Sequence, residues 1–336
     1  MTRTKASVTA AMTTALLLAA AGCGGDDSPK VTSEGAGGGA AKPASDITVS
    51  YISGMKGLPF YVSLNCGAQA RAKELGITYD YNGPADFDAT QQIPIVNAVG
   101  AKKPDALIVT PTDNNALIPP LKAVQARGVK IVAVDGTVPD KSIAVSEVLS
   151  DNVGGGKLGA KALNDLTGGK GSVVVVSTKP GISSTDERGE GFKAAMKGYP
   201  GLKFLGIQYN QGSDRTAQSI VTGLLASNPD LSGIFLAGNV GSEGAAAALR
   251  AANLGGRVKV VQYDASPSQV DQLKAGILDA LIAQDPYQEG IDAVNQAVNA
   301  AQGKPVQKLV MTDLHIITKK TIEDGSGVKY QYKTAC

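Results

Sequence analysis

From Asp46 onward the chain alternates short β-branched runs with longer stretches whose apolar residues recur every three or four positions. The apolar runs predict strands at Ile47–Ile52, Ile77–Tyr81, Ala106–Thr110, Ile131–Asp135, Val173–Ser177, Phe204–Tyr209, Gly233–Ala237, Val258–Tyr263 and Ala280–Gln284. Most of these are continuously apolar rather than alternating, as in strands covered on both faces. Helical spacing fills the intervals. In the first helix Phe60, Leu64, Ala68, Ala72 and Leu75 make one buried stripe, and Gly76 stands where a left-handed cap is needed. Further helices are predicted at Asn115–Arg127, Val153–Leu166, Asp186–Lys197, Asp214–Asn228, Ser242–Ala252, Pro267–Ala275 and Pro286–Gln302. Such alternation means an α/β protein with parallel sheets and right-handed crossovers. Val145–Val153 reads as an extended connection into a second block, and with no Gly/Pro-rich run there the join is a hinge.

The beginning of the chain follows another pattern. Arg3 and Lys5 precede an apolar stretch from Val8 to Ala21, and small residues Ala20, Ala21 and Gly22 lead into Cys23. Residues 1–22 therefore read as a secretory signal peptide, with an apolar part short of the about 20 residues needed to span a bilayer. Cys23 resembles a lipobox cysteine, a lipid attachment site, although Ala20 stands where Leu is usual. Residues 23–45 are Gly, Ala, Ser and charge and read as a flexible, lipid-anchored tether. The expectation is an exported protein held at the outer face of the cell membrane. What remains, about 290 residues, suits two domains.

Composition narrows the chemistry. The formal net charge is +2, too small for the basic field that gathers nucleic acid. One His and three Cys cannot assemble Cys/His zinc sites, and no cofactor loop stands out. With Cys23 lipidated, Cys66 and Cys336 remain as an even pair in an oxidising location, to be joined as a disulfide or left as two thiols.

In open parallel sheets, ligands sit beyond the carboxyl ends of the strands. Asp135, Asn239, Asp264 and Gln284 stand at or just past such ends, Arg188 follows Val173–Ser177, and Phe60-Tyr61 follow the first strand. Any one of the polar residues could be a helix cap; together they suit a polyhydroxylated solute. Carboxylates accept from neighbouring hydroxyls, an Arg fork donates, and Asn or Gln does both. An aromatic ring covers a sugar's C–H face.

Leu-Pro-Phe-Tyr-Val-Ser-Leu (58–64), Pro-Thr-Asp (111–113), Ser-Asp-Asn-Val-Gly-Gly-Gly-Lys (150–157), Glu-Arg-Gly-Glu-Gly-Phe (187–192) and Ile-Ala-Gln (282–284) occur in that order. Together they resemble the ribose-binding-protein group of periplasmic binding proteins. The resemblance implies two Rossmann-like α/β lobes joined by a three-strand hinge, with the solute clamped between them. It assigns sugar contacts to Phe60, Tyr61, Asp135, Arg188, Asn239, Asp264 and Gln284, and implies docking on an ABC permease. The chain departs from the ribose pattern at Leu58 (in place of Asn), at Gly136 (in place of Arg) and at Ser213 (in place of an aromatic), which leaves the solute open among monosaccharides and polyols. Asp113, Asp186, Tyr263 and Tyr287 stand as replacement contacts or as caps and rim residues.

Two other motifs carry a plainer meaning. Gly154-Gly155-Gly156-Lys157-Leu158-Gly159 fits a dinucleotide fingerprint, but no acidic residue ends the next strand to hold a ribose, so close helix packing is the expected use. His315, in Leu-His-Ile-Ile, has no Ser or Cys nucleophile nearby and reads as a packed or edge residue. The expected protein is a monomer that binds a small polar solute, with no enzyme activity and no nucleic-acid partner. Its lobes are 46–150 with 285–313 and 151–284 with 314–336. The rival readings are a solute sensor that signals to a membrane receptor, an enzyme on the same scaffold, and the sensor domain of a lactose-repressor-type regulator.

Overall fold

The computed structural model describes residues 42–336; the expected signal peptide, the Cys23 lipid site and the tether as far as residue 41 lie outside them. The last tether residues, Lys42–Ser45, are fastened to the body instead of hanging slack. Lys42 Nζ pairs with Asp105 at 2.6 Å, and Ala44–Asp46 make a 3-10 turn.

The strands sort into two sheets. The first holds β1 (Thr48–Ile52), β2 (Thr78–Asn82), β3 (Ala106–Val109), β4 (Lys130–Val134), β5 (Ser146–Ser150) and, from much later in the chain, β11 (Leu309–Thr312). The second holds β6 (Gly171–Ser177), β7 (Leu202–Tyr209), β8 (Leu231–Leu236), β9 (Lys259–Tyr263), β10 (Ala280–Ala283) and β12 (His315–Ile317). Their orders are β11-β5-β4-β3-β1-β2 and β12-β10-β9-β8-β6-β7, one topology used twice. Pairing is parallel except that β12 runs antiparallel to β10. The central strands are buried throughout: Ile131 to Val134 in β4 are at most 1% exposed, each larger side chain contributing roughly 1.5–3 kcal/mol.

The helices are α1 (Pro59–Leu75), α2 (Ala89–Lys102), α3 (Ile118–Gln125), α4 (Asn152–Thr167), α5 (Ser183–Ala195), α6 (Asp214–Ser227), α7 (Ser242–Ala251), α8 (Pro267–Lys274), α9 (Pro286–Ala301) and α10 (Lys319–Glu323). Gly76 ends α1 in the left-handed conformation, φ 69°. The periodicity missed α2, which carries Pro94 in its interior and so breaks the expected pattern; Asp88 starts it by accepting the Thr90 N–H. The Val145–Val153 connection is β5 running directly into α4. Short β11 also escaped the pattern, whereas β12 falls within the apolar run Leu-His-Ile-Ile around His315.

Among the described residues the chain passes between the sheets three times, from β5 to α4, from β10 to α9 and from β11 to β12. Buried Glu289, on the first turn of α9, accepts from Ser150 Oγ at 2.6 Å and Thr312 Oγ1 at 3.2 Å, and so ties these crossings together. Burial pushes its carboxyl well above the ordinary range. Within each half, the helix that follows a crossing packs without spacing on a neighbour. A methyl on Gly67 would overlap the Tyr287 carbonyl, and one on Gly290 the Leu64 carbonyl, between α1 and α9. Gly156 and Gly191 do the same for α4 and α5. The glycine-rich run at 154–159 is thus helix-packing surface: Gly155 lies under the Tyr263 ring and Gly159 under Phe235.

Candidate functional site

Between the carboxyl ends of the two sheets lies a cleft of about 460 Å³. All seven residues singled out from the sequence line it: Phe60, Tyr61, Asp135, Arg188, Asn239, Asp264 and Gln284. The capping alternative does not describe the strand-end residues. The N-caps nearby are Ser266 for α8, Asp285 for α9 and Gly241 for α7, each one or two positions further on.

The aspartates mark equivalent corners. Asp135 follows β4 with φ 58° and donates its N–H to Val148 of β5; Asp264 follows β9 with φ 79° and donates to Ile282 of β10. A left-handed Asp is uncommon, and two at matching places show a turn that aims a carboxylate into the cleft from each half. Tyr61, buried on α1, donates its hydroxyl to Asp135 Oδ2 at 2.8 Å. Asp264 Oδ1 receives the Gln284 side-chain amide at 2.7 Å and the Tyr332 hydroxyl at 3.0 Å.

Arg188 faces them from α5. Its guanidinium lies 3.6 Å over the Tyr263 ring, Nε donates to Asn152 at 2.9 Å, and Nη1 donates to the Ala237 carbonyl at 3.0 Å. Those bonds fix the fork while leaving donors free. Among the described residues no ion pair within 4.0 Å joins Arg188 to either aspartate. Burial alone would lower the Arg188 pKa, but Tyr263, Asp264 and Asp135 outweigh it and hold it above its ordinary value. Asp135 is pushed up to about 7, chiefly by burial and with the like charge of Asp264 adding, against the opposing pull of Arg188 and the Tyr61 hydroxyl. Among the described residues the buried Gln284 Oε1 has no hydrogen-bond partner, and Gln284 sits at a crossing.

The remaining predicted residues fall elsewhere. Leu58 and Gly136 do line the cleft, so two of the departures from the ribose pattern are at the site. Ser213 is the N-cap of α6, and Gln211-Gly212 line the cleft in its place. Asp113 accepts the N–H groups of Asn115 and Ala116, and Asp186 that of Gly181, so both hold turns. Tyr263 serves as the platform under Arg188, while Tyr287 lies under Lys333 Nζ at 4.4 Å. His315 stacks on Tyr330 at 3.5 Å, and burial pulls its pKa down. It borders a separate cavity of about 520 Å³ behind the crossings, which shares only Gln284 with the cleft.

Sequence reasoning overlooked Thr110, Thr112, Lys179 and Gln211, which follow β3, β6 and β7 at the same sheet ends and could have been found by that rule. It also missed Gln92 of α2. This fully buried amide donates to the Ser53 and Thr110 carbonyls and accepts from Thr112, holding two cleft loops together. Tyr332 was overlooked as well; it is 68 residues from its partner Asp264.

Comparison with known proteins agrees with this architecture. Residues 49–305 match the family model described as the periplasmic binding protein domain. The chain is 30% identical over 279 residues to the ribose import binding protein of Salmonella typhimurium, covering 81% of this chain and 91% of that protein. Among solved structures it resembles an ABC transporter solute-binding protein from Agrobacterium vitis bound to α-D-tagatopyranose. The TM-score is 0.81 at 34% identity, over 86% of this chain and 100% of the other. A carbohydrate transporter solute-binding protein from Agrobacterium radiobacter, in complex with D-arabinose, matches with TM-score 0.76 at 29% identity, over 85% and 98%. With its doubled sheet topology, its cleft at the strand ends and a family match over most of its length, this chain belongs to the periplasmic binding protein domain family.

Proposed function

We propose that this protein is the extracytoplasmic solute-binding component of an ABC importer, and that it holds a monosaccharide or polyol in the cleft between its halves. The observation that carries this reading is the set of charged groups facing one cleft from both halves. Asp135, Asp264 and Arg188 are each held by protein hydrogen bonds but are not paired with one another. A hydroxyl-rich, uncharged solute can donate to the two carboxylates and accept from the fork at once, contacts that are complete only when the halves come together. Phe60, Met55 and Phe87 supply apolar surface for the C–H faces of a ring. The seven contacts are Phe60, Tyr61, Asp135, Arg188, Asn239, Asp264 and Gln284.

In this proposal residues 46–150 with 285–313 rotate against 151–284 with 314–336, the last residues from Lys333 being fastened to the first half, and solute favours the closed form because only there does it touch both halves. The closed form delivers solute to a membrane permease, as an exported monomer anchored through a lipid on Cys23; membrane fractionation of wild type against Cys23→Ser checks the anchor.

The deciding experiment is a thermal-shift panel of pentoses, hexoses and polyols. At 100 times its dissociation constant, a bound sugar adds about 2.7 kcal/mol of stability, so at least one should raise the melting temperature clearly. Silence across the whole panel would remove the proposed solute class.

A further inference from the structure

After β12 and α10 the chain has eleven residues left beyond Gly325, and their path is not confined to one half. Tyr330 stacks on His315 of β12. Tyr332 donates its N–H to the Ala265 carbonyl at 2.9 Å, just past Asp264 in the second half. One residue later Lys333 donates its N–H to Ser63 Oγ on α1, in the first half, at 2.6 Å. Its Nζ lies over Tyr287 of α9, also in the first half. The tail then ends at Cys336, disulfide-bonded to Cys66 of α1 with the Cα atoms 5.2 Å apart.

Tyr332 is the point where this path meets the cleft machinery. It is 4% exposed and is absent from the cleft lining. Its hydroxyl gives its proton to Asp264 Oδ1 at 3.0 Å and accepts the backbone N–H of Gln284 at 3.1 Å. One oxygen thereby joins the carboxylate that faces the cleft to the backbone of a crossing. Its ring packs edge-on to Phe60 of the first half, centroids 5.6 Å apart at 71°.

We infer that the carboxyl-terminal tail is a fourth tie between the halves, pinned by the Cys66–Cys336 bond, and that Tyr332 on it is a positioning residue fixing Asp264 and Gln284 from behind. The three other ties are continuous chain at the crossings; this one is a returning end that stays in place because a covalent bond holds it. Without that bond the tail keeps its Tyr332 hydrogen bonds to the second half but is held to the first only by the Lys333–Ser63 hydrogen bond and side-chain packing, and its end is free to fray as chain ends commonly do. Losing it lets the halves part more widely and loosens Tyr332, and with it one of the two donors on Asp264. The positioning half of this inference rests on the cleft being the solute site; the tie does not.

The test compares wild type with Cys66→Ser/Cys336→Ser and with Tyr332→Phe. Spin labels carried by unnatural amino acids at exposed Lys102 and Lys203, one in each half, report the spread of separations without solute. The double cysteine variant should broaden that distribution toward longer distances, and an unchanged distribution overturns the tie. Tyr332→Phe should leave the distribution as it is but speed hydrogen exchange at the Gln284 amide by about tenfold, the equivalent of one lost hydrogen bond. It should also weaken binding of the sugar found by the panel by about tenfold, while the melting temperature falls by about a few degrees and the fold is retained. Exchange at Gln284 matching wild type, or affinity within twofold of it, overturns the positioning role. If no sugar binds wild type, the solute reading fails while the label distances and amide exchange still decide the tail's part.

Discussion

The corners at Asp135 and Asp264 occupy the same place in two copies of one topology, yet they are built differently. Both aspartates follow the fourth strand of their half in a left-handed turn, and both donate their N–H to the fifth. Asp264 is 8% exposed and takes two donors on one oxygen, from Gln284 and Tyr332, beside the Arg188 fork. Asp135 is half-buried and takes a single phenol from Tyr61. Burial raises its pKa to about 7. The second half therefore presents an arm organised in advance by several hydrogen bonds, and the first presents a carboxyl held by one, whose ionisation burial opposes. In the proposed clamp the Arg188–Asp264 side therefore offers solute the more firmly held partners, and Asp135 the less firmly held one.

The largest effect expected from this asymmetry is at Asp264. Asp264→Ala should cost about 2–5 kcal/mol of binding, the usual range for one partner of a buried, hydrogen-bonded charge, with the fold retained by circular dichroism. Calorimetry showing unchanged affinity would take Asp264 out of the site and reverse the comparison.

Asp135 should show itself through pH. It keeps its proton to about pH 7 in the solute-free folded protein, whereas an unfolded Asp gives it up at about pH 4. Between those values the folded chain binds more protons than the unfolded one, so the contribution from Asp135 to stability is present below pH 4 and is lost as pH rises toward 7. Asp135→Asn should remove that loss and gain on wild type by roughly 1–3 kcal/mol at pH 7.5 relative to pH 4.5. Urea denaturation at both pH values measures the difference, to which relief of buried Glu289 from the like charge of Asp135 adds with the same sign. Because hydroxyls donate best to the ionised carboxylate, wild-type affinity for sugar should rise with pH through 7 and flatten in Asp135→Asn. A wild-type affinity independent of pH between 6 and 8 would place the solute away from Asp135.

The smallest effect is at Tyr61, whose Phe replacement removes one hydrogen bond and keeps the ring against Phe60. Tyr61→Phe should weaken binding by about 1 kcal/mol, less than the loss at Asp264. A loss as large as that of Asp264→Ala would make the two corners equal partners.

Much of this was legible before any coordinates. Continuous apolar runs located the central strands because a strand buried on both faces leaves no room for polar residues, and the strand-end rule then pointed to the cleft. The runs failed at the margins. β11 is an edge strand with Leu309 and Met311 about half exposed, so its burial pattern carries no core signal. Pro94 concealed α2, and with it Gln92, which anchors two cleft loops. Tyr332 could not be found by periodicity or strand position, since its role comes from a tail folding back across the molecule. Residues at the ends of buried apolar strands were readable; Gln92, on a helix the pattern hid, and Tyr332, brought in by long-range return of the chain, were not.

The glycines between α1 and α9, and between α4 and α5, set where this molecule is stiff. Helices seated backbone to backbone have no compressible side-chain layer between them, so each half resists shear and bending internally. On the proposed function, strain from a bound sugar would be relieved by turning at a few backbone torsions where the chain crosses between the sheets. The amplitude of that turn would then be set by those linkers and by the tail tie, and a methyl group added at Gly67 or Gly156 would disturb the stiffness on which the lever depends.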